Sequence, residues 1–181
     1  RILAPKNLLI LWLTFPFIKA FHEFGHAFAV KVKGGEVHEM GIMLLVFPPI
    51  PYVDASEASA FRERRERVIV GAAGMMVEVF IAALALFVWI NIEPGTIRSL
   101  AYNVIFIAGV SSILFNGNPL LRYDAYYILT DLLEIPNLGP RGNRYVLYLI
   151  QRYLFWVRDL EPPMATRGER LWFVIYTISS F

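Results

Sequence analysis

The chain has 181 residues, 57% of them hydrophobic and 18% charged, against roughly 45–50% and about 25% in soluble domains. A mean hydropathy of +0.52 excludes a simple soluble globule and a disordered chain, and the length suits one domain. A net charge of +2 without a dense basic block speaks against nucleic-acid binding. The absence of Cys excludes disulfides, iron–sulfur clusters and thiolate zinc sites, so any metal must be held by His, Asp or Glu.

The chain opens at Arg1, without an initiator Met, as expected of a piece of a longer protein. Its first apolar region, residues 7–30, begins with an unbroken apolar stretch and then carries Lys19, His22, Glu23 and His26. It continues too far for a signal peptide, and no small-residue cleavage site follows. Residues 41–53 (GIMLLVFPPIPYV) are apolar but too short to span, and Pro48, Pro49 and Pro51 interrupt them. A re-entrant or interfacial hairpin is expected there. Residues 68–90 form a second apolar region with Glu78 as its only ionisable group, long enough for a hydrocarbon core of about 30 Å. Residues 99–115 reach roughly 25 Å and just suffice. In residues 146–157, Val146, Leu147, Ile150, Leu154 and Val157 recur at helical spacing, with Arg144, Arg152, Arg158 and Asp159 away from them. With Tyr145, Tyr148, Tyr153 and Trp156 as interfacial aromatics, this predicts a helix on the inner membrane surface, ended by Pro162-Pro163. Residues 171–181 read as the first half of a fourth span.

Basic residues assign the sides. Lys31, Lys33, Arg62, Arg64, Arg65 and Arg67 follow the first span, and the Arg residues at 122, 141, 144, 152, 158, 167 and 170 follow the third. Only Arg98 lies in the short connection 91–98. The first and third connections are therefore expected in the cytoplasm, which brings the C-terminal ends of spans one and three to the same side.

Residues 22–26 read His-Glu-Phe-Gly-His. On a helix, residues four apart share a face, so both imidazoles can reach one ion, with Glu23 beside them as a general base rather than a ligand. With 3 His and 11 Glu in the chain, chance yields one such HExxH pattern in roughly three of a thousand sequences. Ionisable groups inside a span are costly without a role. His22 would lie about 22 Å along the span from Asn7, nearer the cytoplasmic face. A catalytic zinc site needs a third protein ligand and an open position. On the same side Asp124 fits, with Asp131 two helical turns further on as the reserve, and Asp124 reads equally as a carboxylate at a helix N-terminus.

These residues resemble the site-2 protease family of intramembrane zinc metalloproteases, particularly its bacterial peptide zinc metalloprotease branch. The likeness rests on HEFGH at 22–26 and NPLLRYDAYY at 118–127, similar to the family's paired HExxH and NPxxxxDG signatures. It extends over about residues 10–138, through GGEVHEMGIMLLVFPPIPYVD and GAAGMMVE. The resemblance implies His22, His26 and Asp124 as zinc ligands, Glu23 as general base, and Asn118 as a residue polarising the scissile carbonyl. The chain departs from the family in having Ala125 where Gly is usual; a position needing positive φ would be strained there. It also has Gly71, Gly74 and Glu78 where the family often carries Gly-Pro and Asn.

Glu78 reads as an acceptor for a ligating imidazole or as a protonated packing residue. Lys19, four residues before Glu23, reads as its partner, as a snorkelling residue or as one facing the site's water; Gly71, Ala72 and Gly74 read as allowing close helix packing, and Asn116 and Asn118 as capping the following helix. His38 reads as structural. The expected fold is an all-α polytopic membrane protein with three transmembrane helices, a truncated fourth, the hairpin and the interfacial helix. It forms a single membrane-embedded metalloprotease domain over residues 1–181, multi-pass in a bacterial cytoplasmic membrane, with its site toward the cytoplasm. The expected cofactor is Zn2+, and the expected partners are a peptide or transmembrane protein substrate and membrane lipid. The alternative is a zinc-binding component of a peptide-handling or export complex that does not hydrolyse, and a further one is a scaffold whose HExxH is accidental.

Overall fold

The structure is a computed structural model and describes residues 5–44, 49–110, 112–157 and 160–180. Helix α1 (Pro5–Val32) holds the first apolar region. Its end is closed by Gly34 at φ 84, with the Gly35 N–H donating to Val30 O and the Gly34 N–H to Lys31 O, both at 3.0 Å. That left-handed closure suits a residue without a Cβ.

An antiparallel hairpin follows, β1 (Met40–Leu44) and β2 (Pro49–Val53), with Met40 opposite Val53 and Leu44 opposite Pro49. Residues 45–48, including Pro48 of the expected hairpin, lie outside the described residues. The Asp54 N–H donates to Glu39 O at 2.8 Å. By strand alternation, residues 50 and 52 turn their backbone groups toward β1, and 49, 51 and 53 turn theirs away. Pro49 and Pro51 thus sit on the outer edge of β2, where a missing N–H breaks no ladder bond. The outer edge of β1 carries Met40, Ile42 and Leu44 and keeps both donors and acceptors.

After a 3-10 turn (Ser56–Ala60), α2 (Arg64–Asn91) forms the second span. Helix α3 (Thr96–Ile105) widens into π geometry over Phe106–Val110 and Ser112–Asn116. Among the described residues, three helices are long and apolar enough to cross a membrane: Leu8–Val32, Arg64–Asn91 and Thr96–Asn116. Their packing depends on small residues, since lipid gives little hydrophobic drive for helices to associate. A Cβ on Gly25 of α1 would lie 2.9 Å from the Ala73 carbonyl oxygen of α2, so the backbones meet there. Ile18, Ile107 and Ala108 form the buried centre between the spans, with Phe15, Ile81 and Val104 packed on it. Phe17 and Phe87, 68% and 69% exposed, point outward as side chains meant for an apolar solvent do.

The remaining helices make a second core. α4 (Asp124–Leu133), α5 (Leu138–Leu149) and α6 (Arg167–Ser179) bury Tyr126, Ile135, Leu138, Phe173 and Tyr176 together. Glu134 (φ 57) and Asn137 (φ 54) turn the chain between α4 and α5. Helix α5 begins well before the expected residue 146 and continues in π geometry only to Leu154. Trp156, at φ 57, breaks the helical path, so Pro162-Pro163 does not terminate the helix. Arg158 and Asp159 lie outside the described residues. Tyr145 packs on Phe173 of α6, ring centroids 5.9 Å apart, and is a core contact rather than an interfacial anchor. Tyr153 and Trp156 are exposed. Helix α6, read from sequence as half a span, is 13 residues long and buries Phe173, Tyr176 and Thr177. A capping box starts it. The Glu169 N–H donates to Thr166 Oγ1 at 3.3 Å, and the Thr166 N–H to Glu169 Oε2 at 2.8 Å.

Candidate metal centre

His22 and His26 stand one turn apart on α1, and both are buried. Their Nε2 atoms lie 3.1 Å from each other. Asp124, the first residue of α4, places Oδ2 3.1 Å from His22 Nε2 and Oδ1 3.7 Å from His26 Nε2. The three residues form a group whose ligand atoms all lie within 4.8 Å. Residues 22 and 26 come together because four residues make about one helical turn. Asp124 arrives because the third span delivers α4 to the same end of the bundle.

Helix α2 forms the floor. Gly74 leaves the space the imidazoles occupy: a Cβ there would lie 2.5 Å from His26 Nε2 and 2.6 Å from His22 Nε2. The His26 Nδ1–H donates to Val70 O at 2.7 Å. A carbonyl can only accept, so Nδ1 carries the proton and His26 Nε2 presents a lone pair. Asp124 Oδ2 is buried without a hydrogen-bond partner among the described residues. Burial alone would raise the Asp124 carboxyl; the two imidazoles beside it outweigh this and hold it well below the usual carboxylate range.

Lone pairs and a carboxylate meeting in a buried place make a donor set suited to a divalent cation. Nitrogen and oxygen ligands about 2.0–2.1 Å from a tetrahedral zinc are about 3.3 Å apart, and the observed 3.1, 3.1 and 3.7 Å bracket that edge. The donor set fits zinc with a fourth position open.

Glu23 is half-buried and lines a cavity of about 700 Å³ with Trp12, Phe17, Met40, Ile42 and Tyr52. That cavity lies between α1 and the hairpin, and its lining is almost wholly apolar. Asn118 is half-buried after the third span, and its Oδ1 accepts the Leu120 N–H at 3.0 Å. It holds a turn and does not cap α4, whose N-cap is Tyr123. Asp131, the alternative third ligand, is instead engaged by Arg67 Nε at 2.8 Å. Lys19 pairs with Glu78 at 2.7 Å rather than with Glu23. Glu78 is fully buried and stands 3.3 Å from His22 Nδ1. It also accepts from Ser112 Oγ and from Asn116 Nδ2, the latter at 3.4 Å, so Asn116 is no helix cap. Ser112 escaped the sequence reading, because Ser99, Asn103 and Ser111 share its span and nothing in the spacing sets it apart. Gly71 meets Ile128 of α4, a packing role. His38 Nε2 pairs with half-buried Glu57 at 2.8 Å, near the base of the hairpin. Ala125 lies within α4 with no positive φ, so the strain considered for that position is absent.

Over 150 residues the chain is 29% identical to the protein described as "Putative peptide zinc metalloprotease protein YydH" from Bacillus subtilis (strain 168). The chain is its distant partial homologue. The matched segment is 81% of this chain and 57% of that protein, so the chain spans little more than half its relative's length. No family model and no solved structure matches the chain. The His22–His26–Asp124 group agrees in ligand chemistry with the zinc in that relative's name.

Proposed function

We propose that residues 1–181 form a site-2-protease-like intramembrane zinc metalloprotease domain that hydrolyses a peptide bond near the cytoplasmic face. The observation that carries this reading is the convergence of two imidazole Nε2 atoms, from a helix long and apolar enough to cross a membrane, with the Asp124 carboxylate of α4, beside Glu23 and an apolar cavity. His22, His26 and Asp124 would hold the ion. Zinc, when bound, supplies a Lewis acid for the scissile carbonyl and makes water acidic enough to deprotonate near neutral pH. Glu23 takes the proton from the attacking water and returns it to the leaving amine. Asn118, whose Oδ1 is tied to the Leu120 N–H, turns its amide hydrogens toward the substrate carbonyl.

The substrate is a peptide or a transmembrane protein segment with apolar side chains, matched to the cavity walls. A helical segment has its carbonyls tied up and must unwind first. Once extended, it can pair with the outer edge of β1, whose Met40, Gly41 and Ile42 line the same cavity as Glu23. The outer edge of β2 cannot donate at Pro49 or Pro51. The distribution of basic residues supports a site toward the cytoplasm of a bacterial membrane. The non-hydrolytic alternative drew its support from Ala125, and that residue is unstrained within α4.

Cleavage of quenched fluorogenic peptides with apolar cores, by protein in lipid nanodiscs loaded with zinc, tests the reading. Glu23→Gln should abolish cleavage and keep zinc bound. Equal cleavage by Glu23→Gln and the parent chain would remove Glu23 from the mechanism.

A further inference from the structure

Val70, Gly74 and Glu78 recur every four residues on α2 and so form one stripe facing the two imidazoles. Its upper acceptor, the Val70 carbonyl, holds the His26 Nδ1–H at 2.7 Å. Gly74 leaves the space for both rings. Glu78 faces the Nδ1 atom of His22 at 3.3 Å, long for a hydrogen bond, and that buried atom has no other partner among the described residues. The two histidines therefore have corresponding supports, one from the backbone and one from a side chain.

We propose that Glu78 is a positioning residue for the metal centre: it holds the His22 ring with Nε2 turned toward the ion, while Lys19, Ser112 and Asn116 hold Glu78 in place. This rests on the zinc reading above. Glu78 lies on the Nδ1 side of the ring, away from the converging Nε2 atoms, so it orients a ligand and is not one itself. An unpaired carboxylate in a span is costly. Lys19 supplies the opposing charge at 2.7 Å, and Ser112 and Asn116 donate to the other carboxylate oxygen. The four residues come from α1, α2 and the third span, so a single buried carboxylate ties the ligand helix to both its neighbours. The π geometry over Ser112–Asn116 brings two polar side chains to bear on one acceptor. Widened turns of this kind recur where a helix serves a site.

The test is zinc affinity, measured by competition with a chromophoric chelator on purified protein, with the d–d absorption of the Co2+-loaded form as a report on ligand geometry. Glu78→Ala should weaken zinc binding roughly 10–100-fold and shift the cobalt bands. Glu78→Gln keeps an acceptor oxygen and should recover most of the affinity. Met76→Ala, on the exposed side of the same helix, should match the parent chain. If Glu78→Ala does not fold, Ser112→Ala and Lys19→Gln carry the test, each with a smaller loss in the same direction. Parental affinity and spectra in the Glu78 variant, or in both substitutes, with zinc lost in His26→Ala, would overturn the positioning role and leave the zinc reading standing. No zinc in the parent chain would overturn both.

Discussion

Gly74 illustrates how the site constrains single residues. The space above it is filled by two imidazoles, and a methyl group would sit 2.5 Å from His26 Nε2. Neither ring can retreat, because His26 is fixed by Val70 and both are buried. Gly74→Ala is therefore expected to lower zinc affinity at least tenfold, the scale of support lost around a metal ligand. Gly109→Ala, which meets nothing within 4 Å, should leave affinity unchanged in the same chelator titration. At this scale the sequence was legible where the chemistry is local. HExxH fixes its own geometry because a helical turn brings positions 22 and 26 onto one face. Lys19 shows the limit: the near partner by spacing was Glu23, yet the true one is Glu78 on another helix, and no periodicity within α1 encodes that contact. Asn118 and Asn116 were visible as polar residues next to a helix. The different bonds they make depend on how the third span is placed against α2.

Elements add constraints of their own. Helices α1 and α2 touch through backbone at Gly25, where a Cβ would lie 2.9 Å from the Ala73 carbonyl oxygen and 3.0 Å from a Val77 methyl. Gly25→Ala should force the spans apart and cost about 1–3 kcal/mol, read as a lower midpoint of thermal unfolding. Gly168→Ala, in open space, is the matched control. Helix α6 gives a pH prediction. The Thr166 N–H and the Arg141 guanidinium, 2.7 Å away, hold the Glu169 carboxyl below its ordinary value of 4.5. A depressed carboxyl stabilises the fold above its unfolded pKa and loses that contribution as pH falls through the folded value. Melting temperatures of the parent chain and Glu169→Gln should therefore differ near neutral pH and converge as the pH drops through the depressed value of that carboxyl. A gap that widens on acidification would contradict the capping geometry. The lengths of α1 and α2 and the hairpin were legible because hydropathy and proline placement set them. The ends of α5 were not. The chain leaves the helical path at Trp156, and the start at Leu138 is set by packing into the core shared with α4 and α6.

At the scale of the molecule, the long apolar helices among the described residues hold a polar centre, and the connections differ in basic content. The proposed orientation puts the connection between α2 and α3 outside and the segment before α6 inside. A chain without Cys lends itself to the test. Gly95→Cys should react with a membrane-impermeant maleimide added to intact cells, and Gly168→Cys only after permeabilisation; the reverse pattern would invert the topology. The assembly of the site across α1 and α4 could be anticipated from two motifs on one predicted side, but the role of α2 as floor and acceptor could not, since it arises from helix packing. The central claim is that His22, His26 and Asp124 share one metal ion. Its most direct test is zinc content by mass spectrometry in detergent-purified protein, beside His26→Ala and Asp124→Ala. Near one zinc per chain, lost in both variants, is the expected result. A parent chain that takes up no zinc on reconstitution, or an Asp124→Ala variant that keeps it fully, would contradict the three-ligand site.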